Sequence, residues 1–259
     1  MLENKNAIIY GAGGAIGAAV ARAFAAQGAT VHLTGRTRGP LDEVAAAITE
    51  SGGHAEAAVV DALDEDAVRA HAQDVADRTG HLDISLNLIT RGDVQGVPLT
   101  ELPTADFLQP ITTGVTTNFI TARTAARLMA AQGSGVILTL NSGSAQGSPM
   151  MGGTGPADAA IDALVRNLAQ EVGPSGVRVV GIWTAGLPET LSPEKLSRFG
   201  PRMDETAFKT LLARLDEMRM TRRSPTLAQV AATAAFLASD HAAAITGTFV
   251  NTSSGMFPG

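Results

Sequence analysis

The chain contains no cysteine, which excludes disulfides, thiolate catalysis and cysteine-ligated zinc, and leaves the redox compartment open. Tyrosine occurs once, as Tyr10, and lysine three times, as Lys5, Lys195 and Lys209. No apolar run approaches the roughly 18 to 20 residues needed to cross a bilayer. The basic residues are scattered through a chain of net charge −6, so it has neither a phosphate-tracking stripe nor a polybasic lipid anchor. Nucleic acid, membrane and metal are therefore not expected as partners. The N-terminus runs into a strand and a glycine turn without leader features, which predicts a cytoplasmic protein.

Present instead are short β-branched runs alternating with longer alanine-rich amphipathic segments, the pattern of a parallel sheet covered by helices on both faces. Strands are expected at Ala7 to Tyr10, Thr30 to Leu33, Ala57 to Val60, Ile84 to Asn87, Gly135 to Asn141, Val177 to Ile182 and Phe249 to Asn251. Helices are expected at about Ala15 to Gln27, Leu41 to Ser51, Glu65 to Thr79, Ala105 to Gln132, Pro156 to Val172 and Leu227 to Ser239. This predicts one α/β domain over residues 1–259, a doubly wound sheet of about seven parallel strands. Residues 188–225 break the rhythm with prolines, charges and Met203, Met218 and Met220. They read either as a helical lid over a substrate or as a solvated surface insertion.

Gly11, Gly13, Gly14, Ala15, Ile16 and Gly17 lie between the first strand and the first helix, the context of a dinucleotide loop. Glycine lets backbone approach a pyrophosphate, and the helix start offers N–H groups and a positive dipole end. After the second strand comes Thr34-Gly35-Arg36-Thr37-Arg38. An acidic residue there would select NAD by binding the ribose 2′-hydroxyl; arginine favours the 2′-phosphate of NADP. Arg36 is read as that clamp, against a plain surface charge, with NAD as the alternative cofactor. Asp61 and Asn87 are placed at the carboxyl ends of the third and fourth strands, where ligands collect, or else cap the turns that follow.

These features together resemble the short-chain dehydrogenase/reductase family over essentially the whole length. Gly11 to Gly17 is similar to its glycine motif, with Tyr10 and Ala15 as departures. Asp61-Ala62 resembles the adenine-contacting pair, and Leu82 to Asn87 the strand entering the Asn-Asn-Ala-Gly motif, continued here as Leu88-Ile89-Thr90. Ala185 to Thr190 resembles the Pro-Gly loop with Thr190 as its nicotinamide-contacting threonine, displaced by one residue. The tail from Val230 to Asp240, then Ile245-Thr246-Gly247 and Ser254-Gly255, is the most specific match. The resemblance implies a Rossmann-type fold, a small-molecule substrate and a homotetramer or homodimer paired through the two long alanine-rich helices, which could instead pack only within one chain.

The resemblance also implies four catalytic positions, and three are changed. The asparagine falls on Gly114, with Asn118 one turn on; the serine falls on Ser142; the tyrosine falls on Thr154; the lysine falls on Asp158. A threonine hydroxyl is far too weak an acid to replace a phenol whose pKa an ammonium has lowered from about 10. Asp158, four residues after Thr154 on the same helical face, reads either as a substitute proton donor with a raised pKa or as an acid complementing its own helix dipole. The expected function is NADP(H)-dependent oxidoreduction of a carbonyl, alcohol or activated alkene with a non-standard proton donor. The alternative is a catalytically silent cofactor-binding member acting as a sensor or oligomer partner.

Overall fold

The strand β1 (Asn6–Tyr10) is buried at all five positions, as a strand covered on both faces must be. In the computed structural model, which describes residues 1–196 and 204–257, it is joined by β2 (Thr30–Gly35), β3 (His54–Val59), β4 (Ile84–Asn87), β5 (Gly135–Asn141), β6 (Val177–Trp183) and β7 (Thr248–Asn251). All pairings are parallel, in the order β3-β2-β1-β4-β5-β6-β7. The helices are α1 (Ala15–Ala26), α2 (Arg38–Glu50), α3 (Glu65–Thr79), α4 (Thr104–Gln132), α5 (Thr154–Val172), α6 (Pro193–Leu196), α7 (Glu205–Glu217) and α8 (Leu227–Ala238). Among the described residues no helix is long and apolar enough to cross a membrane.

Two cores result, one on each face of the sheet. Val20 and Phe24 of α1 pack with Ala234 and Leu237 of α8 on one side. Val68, Ile120, Ile161 and Val165 of α3, α4 and α5 fill the other. Tyr10 belongs to this second core and is 1% exposed; burial pushes its phenol well above the ordinary range. Although it adjoins the glycine loop in sequence, its side chain is withdrawn from the cleft and cannot act as an acid there.

The strand order reverses between β1 and β4, opening a crevice at the carboxyl ends of the strands. Between β6 and α8 the chain leaves the sheet through α6 and α7. Residues 197–203, Met203 included, lie outside the described residues, and Met218 and Met220 are exposed. Arg219, 1% exposed, anchors the excursion by donating to Ser224 Oγ, to Ser253 O and to the carbonyls of Ala185 and Gly186.

Two histidines, His32 on β2 and His71 on α3, lie close enough to feel each other's charge. His32 of β2 is fully buried with neither ring nitrogen hydrogen-bonded; its Nδ1 lies 3.4 Å from Glu56 Oε2 of β3 without hydrogen-bond geometry. His71 of α3 is pushed down to about 4, mainly by burial, then by His32 and Arg78 against the opposing Asp74 and Glu56. The folded state thus favours neutral imidazole, whereas the unfolded chain takes up a proton near pH 6.5. This stability is intact above about pH 6.5 and lost as pH falls toward 4, on the order of 2 kcal/mol for His71 after allowing for partial exposure. We expect urea midpoints to drop between pH 7.5 and 5, and His71→Leu to flatten that drop; parallel declines in both proteins would show that the loss lies elsewhere.

Candidate active site

The cofactor rim is built by close backbone approaches. Gly11, at φ +81, faces the Leu88 carbonyl so tightly that an added Cβ would stand 2.6 Å from its oxygen; one on Gly17 would stand 2.3 Å from Gly11 O. Gly11 N and Ala12 N donate to Thr34 O at 2.9 and 3.0 Å, tying the loop to β2. Ala15, Ile16 and Gly17 form the first turn of α1, whose N–H groups have no partner within the helix. The loop opens onto a cleft of about 440 Å³ lined by Gly11, Gly13, Gly14, Arg36, Asp61 and Ala62, with Arg91 on its far wall. This cradle of exposed glycine backbone and polar side chains fits the adenosine and pyrophosphate half of a nicotinamide dinucleotide.

Arg38 is held by Asp42 at 2.7 Å, whereas Arg36 is exposed in the cleft wall and makes no ion pair or hydrogen bond among the described residues. Asp61 stands two residues beyond the end of β3 rather than on it, and its Oδ1 accepts from Leu63 N at 3.0 Å, so it shapes the turn. Asn87 does end β4, but its side chain is committed: Nδ2 donates to Thr121 Oγ1 and Oδ1 accepts from Ile89 N, both at 3.0 Å. Thr190 donates from Oγ1 to Leu187 O at 2.8 Å.

Three of the four residues read from sequence as catalytic, Ser142, Thr154 and Asp158, are joined in one network. Helix α5 begins at Thr154, not Pro156, with Gly153 as its N-cap. Asp158 is therefore its fifth residue, beyond the first turn, and does not complement its own helix start. It is completely buried. Its Oδ2 accepts from Ser142 Oγ at 2.6 Å, Ser144 N at 2.9 Å and Ser142 N at 3.1 Å, while Oδ1 accepts from Arg91 Nη1 at 2.7 Å. Every bond it makes is an acceptor bond, the opposite of an acid proton aimed outward. Arg91 Nη2 also lies 3.2 Å from Asp93 Oδ1, and Asp93 accepts from Thr154 Oγ1 at 2.8 Å.

Asn118 does not enter this network. Its Nδ2 folds back onto Gly114 O at 2.9 Å, and its buried Oδ1 is unpartnered. Gly114 instead makes room: an added Cβ would stand 2.6 Å from Arg91 Cδ. Arg91, Asp93 and Ser144 were not apparent as site residues from sequence; the one signal was a charge directly after the segment resembling Asn-Asn-Ala-Gly. Asp162 was also missed. One turn beyond Asp158, it is the carboxyl whose pKa burial raises, tempered by donors from Asn141 Nδ2 at 2.7 Å and Trp183 Nε1 at 3.5 Å.

The family model described as enoyl-(acyl carrier protein) reductase matches residues 11–257. The uncharacterized oxidoreductase YxbG of Bacillus subtilis (strain 168) is 30% identical over 98% of this chain and 92% of its own length. The 7alpha-hydroxysteroid dehydrogenase of Escherichia coli (strain K12) is 33% identical over 74% of this chain and 77% of its own. Among solved structures, NAD⁺-bound xylitol dehydrogenase superposes with a TM-score of 0.88 at 26% identity, covering 98% of this chain and 99% of that one. A 7α-hydroxysteroid dehydrogenase complexed with NADH and 7-oxo glycochenodeoxycholic acid gives 0.82 at 29% identity, covering 98% and 94%. The glycine cradle at the strand reversal and the end-to-end match agree: the chain belongs to the short-chain dehydrogenase/reductase family of NAD(P)-dependent oxidoreductases.

Proposed function

We propose that the chain is an NADP(H)-dependent oxidoreductase acting on a small alcohol, carbonyl or activated alkene, with Ser142 and Asp158 managing the proton in place of a phenol. The observation that carries the cofactor assignment is Arg36, which lines the cleft with no carboxylate partner among the described residues while Arg38 is tied to Asp42. When bound, the nicotinamide supplies or accepts the hydride. Ser142, only partly buried, donates from Oγ to Asp158 Oδ2 at 2.6 Å, so a proton arriving at Ser142 Oγ can pass to that oxygen and return from it. Arg91 stabilises the carboxylate that receives it. The excursion through α6 and α7 serves as the cover over the substrate, and the chain forms a homodimer or homotetramer through α4 and α5, a reading supported by the outward-facing Phe119 of α4.

Arg36→Ala tests the cofactor reading. Loss of a charge-assisted bond to phosphate is worth about 1.5 to 3 kcal/mol, so the NADPH dissociation constant should rise tenfold or more while that of NADH changes little. Equal weakening of both would reject the assignment. NADPH binding without turnover on a panel of ketones, enones and alcohols would mark the chain as catalytically silent, a reading favoured by the mutual engagement of Ser142 and Asp158.

A further inference from the structure

Arg91 and Arg36 line the same cleft but meet it with different chemistry. Arg36 follows β2 and Arg91 follows β4, with β1 between them, so they stand roughly two strand spacings, or about 10 Å, apart along the crevice. Arg36 is an exposed cation with no carboxylate partner among the described residues. The Arg91 side chain is 12% exposed and sits between the carboxylates of Asp93 and Asp158. Two negative charges against one positive leave no surplus cation for a phosphate or a carboxylate, and like charge would repel one.

A guanidinium carries five N–H groups in a fixed fork. One meets Asp158 Oδ1 at 2.7 Å and one faces Asp93 Oδ1 at 3.2 Å. The remaining three have no acceptor among the described residues, although the side chain is largely removed from solvent. The fork is also held in one orientation, by the carboxylates on one side and by the space over Gly114 on the other. A charge-compensated, oriented donor facing a polar cleft is suited to neutral oxygens, the hydroxyl or amide carbonyl type.

We propose that Arg91 is a cofactor-binding residue that donates hydrogen bonds to the uncharged oxygens, ribose hydroxyl or carboxamide, of the nicotinamide half, leaving the 2′-phosphate to Arg36. The inference rests on the dinucleotide reading above and adds a residue and a recognition chemistry to it. It also assigns the cleft two ends of opposite preference, anionic at Arg36 and neutral at Arg91.

Equilibrium binding separates the two ends. NADPH and its adenosine fragment 2′,5′-ADP would be titrated calorimetrically into the wild type, Arg91→Lys and Arg91→Ala, with NADH and ADP in parallel. Because Arg91→Ala leaves Asp158 buried without its partner, the paired replacement Arg91→Met/Asp158→Asn removes both charges while keeping an amide oxygen to accept from the Ser142–Ser144 turn. The expected result is a tenfold or larger weakening of the whole dinucleotide in Arg91→Ala and in the pair, partial rescue in Arg91→Lys, and fragment binding within twofold of wild type. Unchanged dinucleotide binding, or equal weakening of dinucleotide and fragment, would overturn the role of Arg91. If the wild type binds NADH but not NADPH, the 2′-phosphate reading fails while the NADH and ADP arms still decide Arg91; if it binds no dinucleotide, both readings fall.

Discussion

Asp158→Asn is expected to cost the protein both turnover and several kcal/mol of stability. The carboxylate is fully buried and accepts four bonds, three at Oδ2 from the Ser142–Ser144 turn and one at Oδ1 from Arg91. A carboxamide accepts at one atom only and donates at the other. Whichever way Asn is turned, an N–H faces either the guanidinium or the two backbone N–H groups of the turn. Neutralising one partner of a buried pair costs about 3 to 5 kcal/mol; because Asp93 still faces Arg91, the loss falls at the lower end and comes mainly from the donors left opposed. Turnover should fall at least about a hundredfold, the usual scale for loss of a positioned proton acceptor. Urea unfolding measures the first effect and steady-state kinetics the second, while 2′,5′-ADP binding verifies that the adenosine end is intact. Near-wild-type rates in a folded Asp158→Asn protein would remove Asp158 from the proton path.

Local structure was largely legible in the sequence because it depends on local signals. Glu65–Thr79 forms as expected, since Asp64 caps its start by accepting from Ala67 N and Gly80 ends it at φ 85. The strands Ile84–Asn87 and Gly135–Asn141 also match, being apolar runs bounded by polar residues. Errors arose where tertiary context decides. β3 begins at His54, three residues before the expected Ala57, because it is an edge strand with a half-exposed pattern that admits His54 and Glu56. α5 starts two residues early because Pro156, third in the helix, lies where its missing N–H is no loss. At the site, register alone brings out the glycine loop and the set Ser142, Thr154 and Asp158, which the structure joins in one network. The partner of Asp158 could not, since Arg91 lies 67 residues away and reaches it only because Gly114 leaves the path open.

That dependence shapes the outcome of rebuilding the family's catalytic pair. Thr154→Tyr/Asp158→Lys is expected to destabilise the fold rather than confer carbonyl reduction, because the new ammonium would lie beside the Arg91 guanidinium. Two such charges about 4 Å apart repel by roughly 4 kcal/mol at an effective dielectric of 20. The N–H groups of Ser142 and Ser144 would also lose Asp158 Oδ2 as their acceptor, leaving only Gly143 N held from outside the turn, by Asn141 Oδ1. Relief requires removing Arg91, and Gly114 then becomes substitutable: with the Arg91 side chain gone, the nearest remaining neighbour of an added Cβ is Ile161 Cδ1 at 3.6 Å, an ordinary contact. The variant Thr154→Tyr/Asp158→Lys/Arg91→Ala/Gly114→Asn should therefore be more stable than the double variant by about 2 kcal/mol or more, on the scale of the repulsion removed, and, with the introduced ammonium replacing Arg91 as donor to the nicotinamide half, should gain at saturating NADPH the ketone reduction that the double variant lacks. Thermal unfolding of the two variants side by side, with NADPH consumption on a ketone panel, measures both effects. If the double variant is as stable as the wild type, the ammonium has found another neighbour and Arg91 is not what keeps the lysine position acidic.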